Sequence, residues 1–160
     1  MTEEQENELK GLGGWLILVG IGIVFSPVKI IISLYPLYSS IFSDGTWELL
    51  TTPGSEFYNA LWLPILGAEI VLNAALVLGW LGIAWRFFSK KQVFRIWYIG
   101  ILLFTIAFQF ADAFAIAAVL PDEEVFDPET LKEIIRSLVY AAIWIPYVLI
   151  SERVKATFVN

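Results

Sequence analysis

The chain has 160 residues, no cysteine and no histidine, a formal charge of −6, and 58% hydrophobic against 16% charged residues. That composition is too apolar for a soluble domain of this length, and the apolar residues fall in unbroken runs, so it specifies a polytopic membrane protein. The missing residue types exclude disulfides, thiolate or imidazole metal ligation, histidine-ligated haem and a serine–histidine triad, and an acidic balance without a basic patch argues against nucleic acid as a partner.

The opening segment (Thr2, Glu3, Glu4, Gln5, Glu6, Asn7, Glu8) is acidic where an export signal is basic, and the first apolar run is too long for a cleavable signal, so the first span is expected to stay in the mature protein. About 20 apolar residues are needed to cross a bilayer as a helix, and four segments meet that length, roughly 13–38, 61–88, 94–120 and 131–150. The expected fold is an all-α membrane protein, a four-transmembrane-helix bundle forming one domain over 1–160 with short terminal tails.

In the first span, Gly11, Gly13 and Gly14 before Trp15 make a flexible start to the helix. They form no phosphate cradle, because no strand precedes them and no lysine–serine pair follows. Pro27 and Pro36 can bend this helix, while Gly22, Ser26, Lys29, Ser33 and Pro36 lie three or four residues apart and make one small, polar stripe. The following loop, 39–60, has no lysine or arginine. Its residues Asp44, Gly45, Trp47, Leu49 and Leu50 are expected on the membrane surface or over a cavity, with a turn at Pro53 and Gly54.

The second span has Pro64 in its first turns, Glu69 and Asn73 one turn apart, and a small-residue seam of Ala68, Ala75, Gly79 and Gly82. The connection after it carries Arg86, Lys90, Lys91 and Arg95. In the third span Thr105, Gln109 and Asp112 align, Ala111, Ala115 and Ala118 form another small seam, and Pro121 ends the helix. The acidic run Asp122, Glu123, Glu124 and Asp127 lacks the glycine and oxygen spacing of a calcium loop and reads as a solvated loop. Asp127, Pro128 and Glu129 read as an N-cap with proline at the first helical position, which starts the fourth helix before the membrane. Along that helix Arg136, Tyr140, Trp144, Tyr147 and Ser151 share a face, and Pro146 can kink it.

Basic residues cluster in the second connection and in the tail at Arg153 and Lys155, which assigns both to the cytoplasm and, by parity, both termini. The segment 121–133 has one lysine among six carboxylates and faces outward. Trp62, Tyr35 and Tyr38 fit an outer aromatic belt, and Trp15, Trp85, Trp97 and Tyr98 an inner one.

Ionisable groups in hydrocarbon are costly, so they face one another or a wet cavity. Counted from the outer ends of their spans at 1.5 Å per residue, Lys29, Glu69 and Asp112 lie roughly 12–14 Å deep. Arg136 is shallower but has a long side chain. Their four charges cancel, as expected if they pair. The candidate ligand-binding residues are Lys29, Glu69, Asn73, Gln109, Asp112, Arg136 and Tyr140, around a polar pocket for a small molecule or ion, with transport as an extension. The other reading makes the same charges internal glue that fixes helix register. The chain would then be an accessory subunit docking a larger membrane complex or a second copy of itself. Trp144, Tyr147, Arg153 and Lys155 would contact lipid or a partner in either case. No catalytic, metal or cofactor site is expected, because no nucleophile–base pair or catalytic motif is present.

The opening Gly11-Leu12-Gly13-Gly14-Trp15-Leu16, Ser26-Pro27, the Glu69 and Asn73 pair, and the closing Ile143-Trp144-Ile145-Pro146-Tyr147 with Ser151, Arg153, Val154, Lys155, Thr157 and Phe158 resemble a family of small bacterial inner-membrane proteins known as a domain of unknown function, which includes YdgK-like proteins. The likeness runs over nearly the whole chain and is most specific at its carboxyl end. It implies a bacterial, four-helix, inner-membrane protein and brings no activity with it.

Overall fold

Long apolar runs with few breakers make long helices, and the computed structural model, which describes residues 10–122 and 124–159, contains four long helices, two short ones and no strand among those residues. They are α1 (Trp15–Ser43), α2 (Thr46–Thr51), α3 (Trp62–Phe88), α4 (Phe94–Val119), α5 (Pro128–Ile150) and α6 (Glu152–Thr157). Four of these, α1, α3, α4 and α5, are long and apolar enough to cross a membrane. Residues 2–8 and Glu123, read above from the sequence, lie outside the described residues.

Local chemistry fixes the helix ends. α1 runs to Ser43 rather than stopping near Tyr38, because serine hydroxyls carry the backbone through its polar last turns: Ser43 Oγ donates to the Ser39 carbonyl, and Ser40 Oγ donates to Asp44 Oδ2 at 2.8 Å. It ends where the Asp44 N–H donates to the Ser40 carbonyl and Gly45 adopts φ 83°, a left-handed conformation that suits glycine. Pro27 and Pro36 both sit within the helix. Between α3 and α4 the chain closes with Lys90 N–H on the Phe87 carbonyl (3.0 Å) and Lys91 N–H on the Arg86 carbonyl (2.9 Å), the paired bonds of a Schellman turn, with Lys90 at φ 53°. α5 starts at Pro128. Asp127 caps it, accepting from Glu129 N–H at 2.8 Å and Thr130 N–H at 3.2 Å, the arrangement its sequence spacing predicts.

α1 packs on α3, α3 on α4 and α4 on α5, whereas α1 and α5 make little direct backbone contact. Apolar packing gathers at two levels. Toward the end that holds Gly11 and Thr157, Leu16, Val19, Ile83, Phe87, Phe94, Tyr98, Val148, Val154 and Phe158 form a dry core with exposures of 1% or less. At the opposite end Ile41, Trp62, Leu66 and Val119 form a smaller one, overlain by Trp47 and Leu50 of the short α2. The polar stripes of the long helices fall between these two plugs.

Two of the aromatic residues expected in interfacial belts prove to be core. Trp62 is buried in the smaller cluster, and Tyr98 is fully buried, its ring edge-on to Trp80 at 6.1 Å. Each lies on the face its helix turns to a neighbour, which residue type alone does not reveal. Trp15, Tyr35, Trp85 and Trp97 do lie exposed on the bundle's outer surface.

α6 turns the tail back onto the start of the chain. Thr157 Oγ1 accepts from the Gly11 N–H and donates to the Gly11 carbonyl, both at 3.1 Å. Phe158 stacks on Phe94 at 4.4 Å between ring centres, and the Arg153 guanidinium lies so close over Gly13 that a Cβ there would sit 3.0 Å from it. The glycine-rich opening and the Ser151–Phe158 tail, the two most distinctive stretches of the sequence, are thus one docked unit.

Candidate functional site

Between the two apolar plugs lies a cavity of about 600 Å³ bounded by all four long helices. Its polar wall is Ser26, Lys29 and Ser33 from α1, Asn73 from α3, Thr105 and Gln109 from α4, and Glu133, Arg136, Ser137 and Tyr140 from α5. Leu76, Trp80 and Leu102, which belong to the larger core, close it toward the terminal end. The helical periodicity of each stripe brings these groups together, since residues three or four apart share a face.

Glu133 organises the charge. Its Oε2 accepts from Lys29 Nζ at 3.1 Å and its Oε1 from an Arg136 guanidinium nitrogen at 2.7 Å, so one carboxylate bridges two cations on separate spans. The cluster carries one excess positive charge. Side-chain exposures of 58% for Lys29, 45% for Glu133 and 55% for Arg136 place it at the cavity's mouth rather than in a sealed core. Deeper in, the Tyr140 hydroxyl accepts from Tyr98 at 3.2 Å and reaches Gly22 so closely that a Cβ there would collide with it. Gln109 Oε1 is buried and has no hydrogen-bond partner. A buried amide carbonyl without a donor is costly, and such orphans are rare in folded proteins.

Of the seven residues the sequence singles out, Lys29, Asn73, Gln109, Arg136 and Tyr140 line this cavity, and Glu69 and Asp112 are not among its lining residues. Those two carboxyls lie beside each other, one on α3 and one on α4. Asn73 Nδ2 donates to the Tyr38 hydroxyl beside them at 3.4 Å. Tyr38 lies beyond Lys29 by about two and a half turns, roughly 13 Å along α1. In place of Lys29, Glu69 and Asp112 at one depth, with a shallower Arg136 completing a cancelling set, the structure has two groups, a cation–carboxylate–cation bridge and, nearer the α2 end, a carboxyl pair.

Glu133 is the residue that sequence reasoning missed. By composition it belongs to the acidic segment 121–133, yet it precedes Arg136 by three residues and so must share its face once α5 starts at Pro128. Among the four tail-region residues, the rings of Trp144 and Tyr147 meet edge-to-face at 5.7 Å, Lys155 pairs with Glu152 at 3.1 Å, and Arg153 lies on Gly13. Among the described residues no three side chains of metal-ligating type come together.

Two carboxylates outside the spans have pKa values held below the ordinary range. The Thr46 hydroxyl does this most for Asp44, helped by the Ser40 hydroxyl and the Thr46 amide. For Asp127 it is the Thr130 hydroxyl, with the Thr130 and Glu129 amides. In both, donors stabilise the charged form.

A family model described as a protein of unknown function (DUF2569) matches residues 9–159, and the chain belongs to that family. No curated protein and no solved structure matches the chain.

Proposed function

We propose that this DUF2569 member, a multi-pass membrane protein, resides in a bacterial inner membrane as a YdgK-like protein with both termini cytoplasmic, and that it binds a small anionic or zwitterionic molecule in the four-helix cavity. The observation that carries this reading is a cavity with one positive charge in excess at its mouth, lined among others by Gln109, whose buried Oε1 has no hydrogen-bond partner. A ligand with a negative group and a hydrogen-bond donor supplies what each lacks. The volume of about 600 Å³ falls in the range of small-molecule pockets. Leu76, Trp80 and Leu102 close one side, which favours a binding site over an open pore.

The role proposed is binding without catalysis. The chain has no cysteine or histidine to act as nucleophile or base, and the Ser26 hydroxyl is engaged with the Gly22 carbonyl at 2.7 Å. The alternative of a docking subunit draws on Trp144, Tyr147, Arg153 and Lys155. Arg153 and Lys155 instead engage their own chain, which favours the cavity.

Native mass spectrometry of the full chain, gently extracted without added ligand, tests this. The expected result is a retained non-lipid species with an acidic group that is lost on Arg136→Gln and weakened on Gln109→Leu. A bare protein, or a species retained equally by both variants, would overturn the proposal.

A further inference from the structure

A second cavity, of about 370 Å³, opens on the outer surface between α3 and α4 toward the terminal end, apart from the polar cavity's charged mouth. Its walls are apolar and include Ala75, Gly79, Ile96, Trp97, Gly100 and Phe104. Ile96, Trp97 and Phe104 are exposed on the side a membrane would cover. The furrow exists because side chains are missing from it: a Cβ on Gly100 would meet nothing within 4 Å.

Arg86 stands at its end. The guanidinium carbon lies 4.3 Å from the centre of the Trp97 ring, and one guanidinium nitrogen donates to the Gly82 carbonyl at 3.0 Å. Gly82 is one turn nearer the middle of α3, so the charge bends inward along the helix. A cation near a helix end usually does the reverse and reaches for water. Gly82 leaves room for this bend, since a Cβ there would lie 3.0 Å from the same nitrogen. The face of Trp97 attracts the guanidinium but brings no opposite charge to balance it. No carboxylate occurs in the sequence from 84 to 99, which holds Arg86, Lys90, Lys91 and Arg95, and the ion pairs seen among the described residues belong to other side chains.

We infer that this furrow seats an anionic phospholipid, one acyl chain lying along Gly79 and Gly100 between α3 and α4 and the phosphate meeting Arg86. The apolar furrow alone would take any lipid tail. The inward-bent cation selects the headgroup, because a charge held at the edge of the hydrocarbon gains most from an opposite charge placed there with it.

The test uses the full chain, delipidated and returned to equal amounts of phosphatidylglycerol and phosphatidylcholine with identical acyl chains, with retained lipids counted by native mass spectrometry. The parent should retain phosphatidylglycerol preferentially. Arg86→Gln should cut that preference about fivefold, the size expected for one juxtamembrane cation. Gly100→Leu, which fills open space, should lower retention of both lipids. Gly67→Leu, where a Cβ also meets nothing within 4 Å but which lies at the far end of α3, should change neither. Equal retention of the two lipids by the parent would overturn the inference. So would Lys90→Gln reducing the preference as much as Arg86→Gln, the mark of diffuse attraction, or Gly100→Leu leaving retention intact.

Discussion

Gln109 shows the tension between stability and use at the level of one residue. Its buried carbonyl costs roughly 1–3 kcal/mol for want of a donor. Gln109→Leu should therefore raise the thermal unfolding temperature of ligand-free protein while weakening ligand retention; a lower unfolding temperature would mean the carbonyl is already satisfied. Gly22 makes a second, opposite case. Because the Tyr140 hydroxyl occupies the space a Cβ would take, Gly22→Ala should destabilise by about 1–3 kcal/mol through overpacking. Gly100→Ala, facing open space, should change the unfolding temperature little, and similar losses in the two variants would show that the Tyr140 contact is not tight. Lys29 and Arg136 were legible in the sequence because charge inside an apolar run has so few places to go. The Glu69–Asp112 contact was not, since periodicity tells which residues of one helix share a face but not which helix that face adjoins.

At the scale of elements, caps and tail docking set the helix ends. The capping carboxylates Asp44 and Asp127 both titrate lower in the folded chain than their ordinary value of 3.8. Their stabilisation is thus complete above that pH and is lost as pH falls through the lower folded values. Unfolding followed in detergent from pH 6 downward should show this acid loss, and Asp127→Ala should lessen it; an unchanged acid limb would remove Asp127 from the account. The docked tail carries more weight. Phe158 is 1% exposed and stacked on Phe94, so Phe158→Ala should cost about 3–5 kcal/mol, measurable as a lowered unfolding temperature. The α5 cap was readable from Asp127 and Pro128 because its chemistry is local. The five further residues of α1 and the whole of α6 were not, because a serine-rich helix end and a six-residue tail helix are decided by bonds and packing that apolar run length does not register.

For the molecule as a whole, the arrangement is two dry plugs with a polar layer between them, open where α1 and α5 make little backbone contact. Four spans and their approximate limits followed from composition and run length, because the bilayer fixes how many apolar residues a helix needs. The partition of charge into a bridged cationic mouth and a separate carboxyl pair depended on the helices' mutual rotation, which those quantities leave open. A wet cavity that draws anions can be tested directly, because the chain has no native cysteine. Single cysteines at Ser137, in the cavity wall, and at Ile32, 67% exposed on the apolar exterior, can be compared in proteoliposomes using negatively and positively charged methanethiosulfonate reagents. Ser137→Cys should react, and faster with the negative reagent once each rate is normalised to a free thiol, while Ile32→Cys should stay unreactive. An inert Ser137→Cys, or one that prefers the positive reagent, would contradict such a cavity.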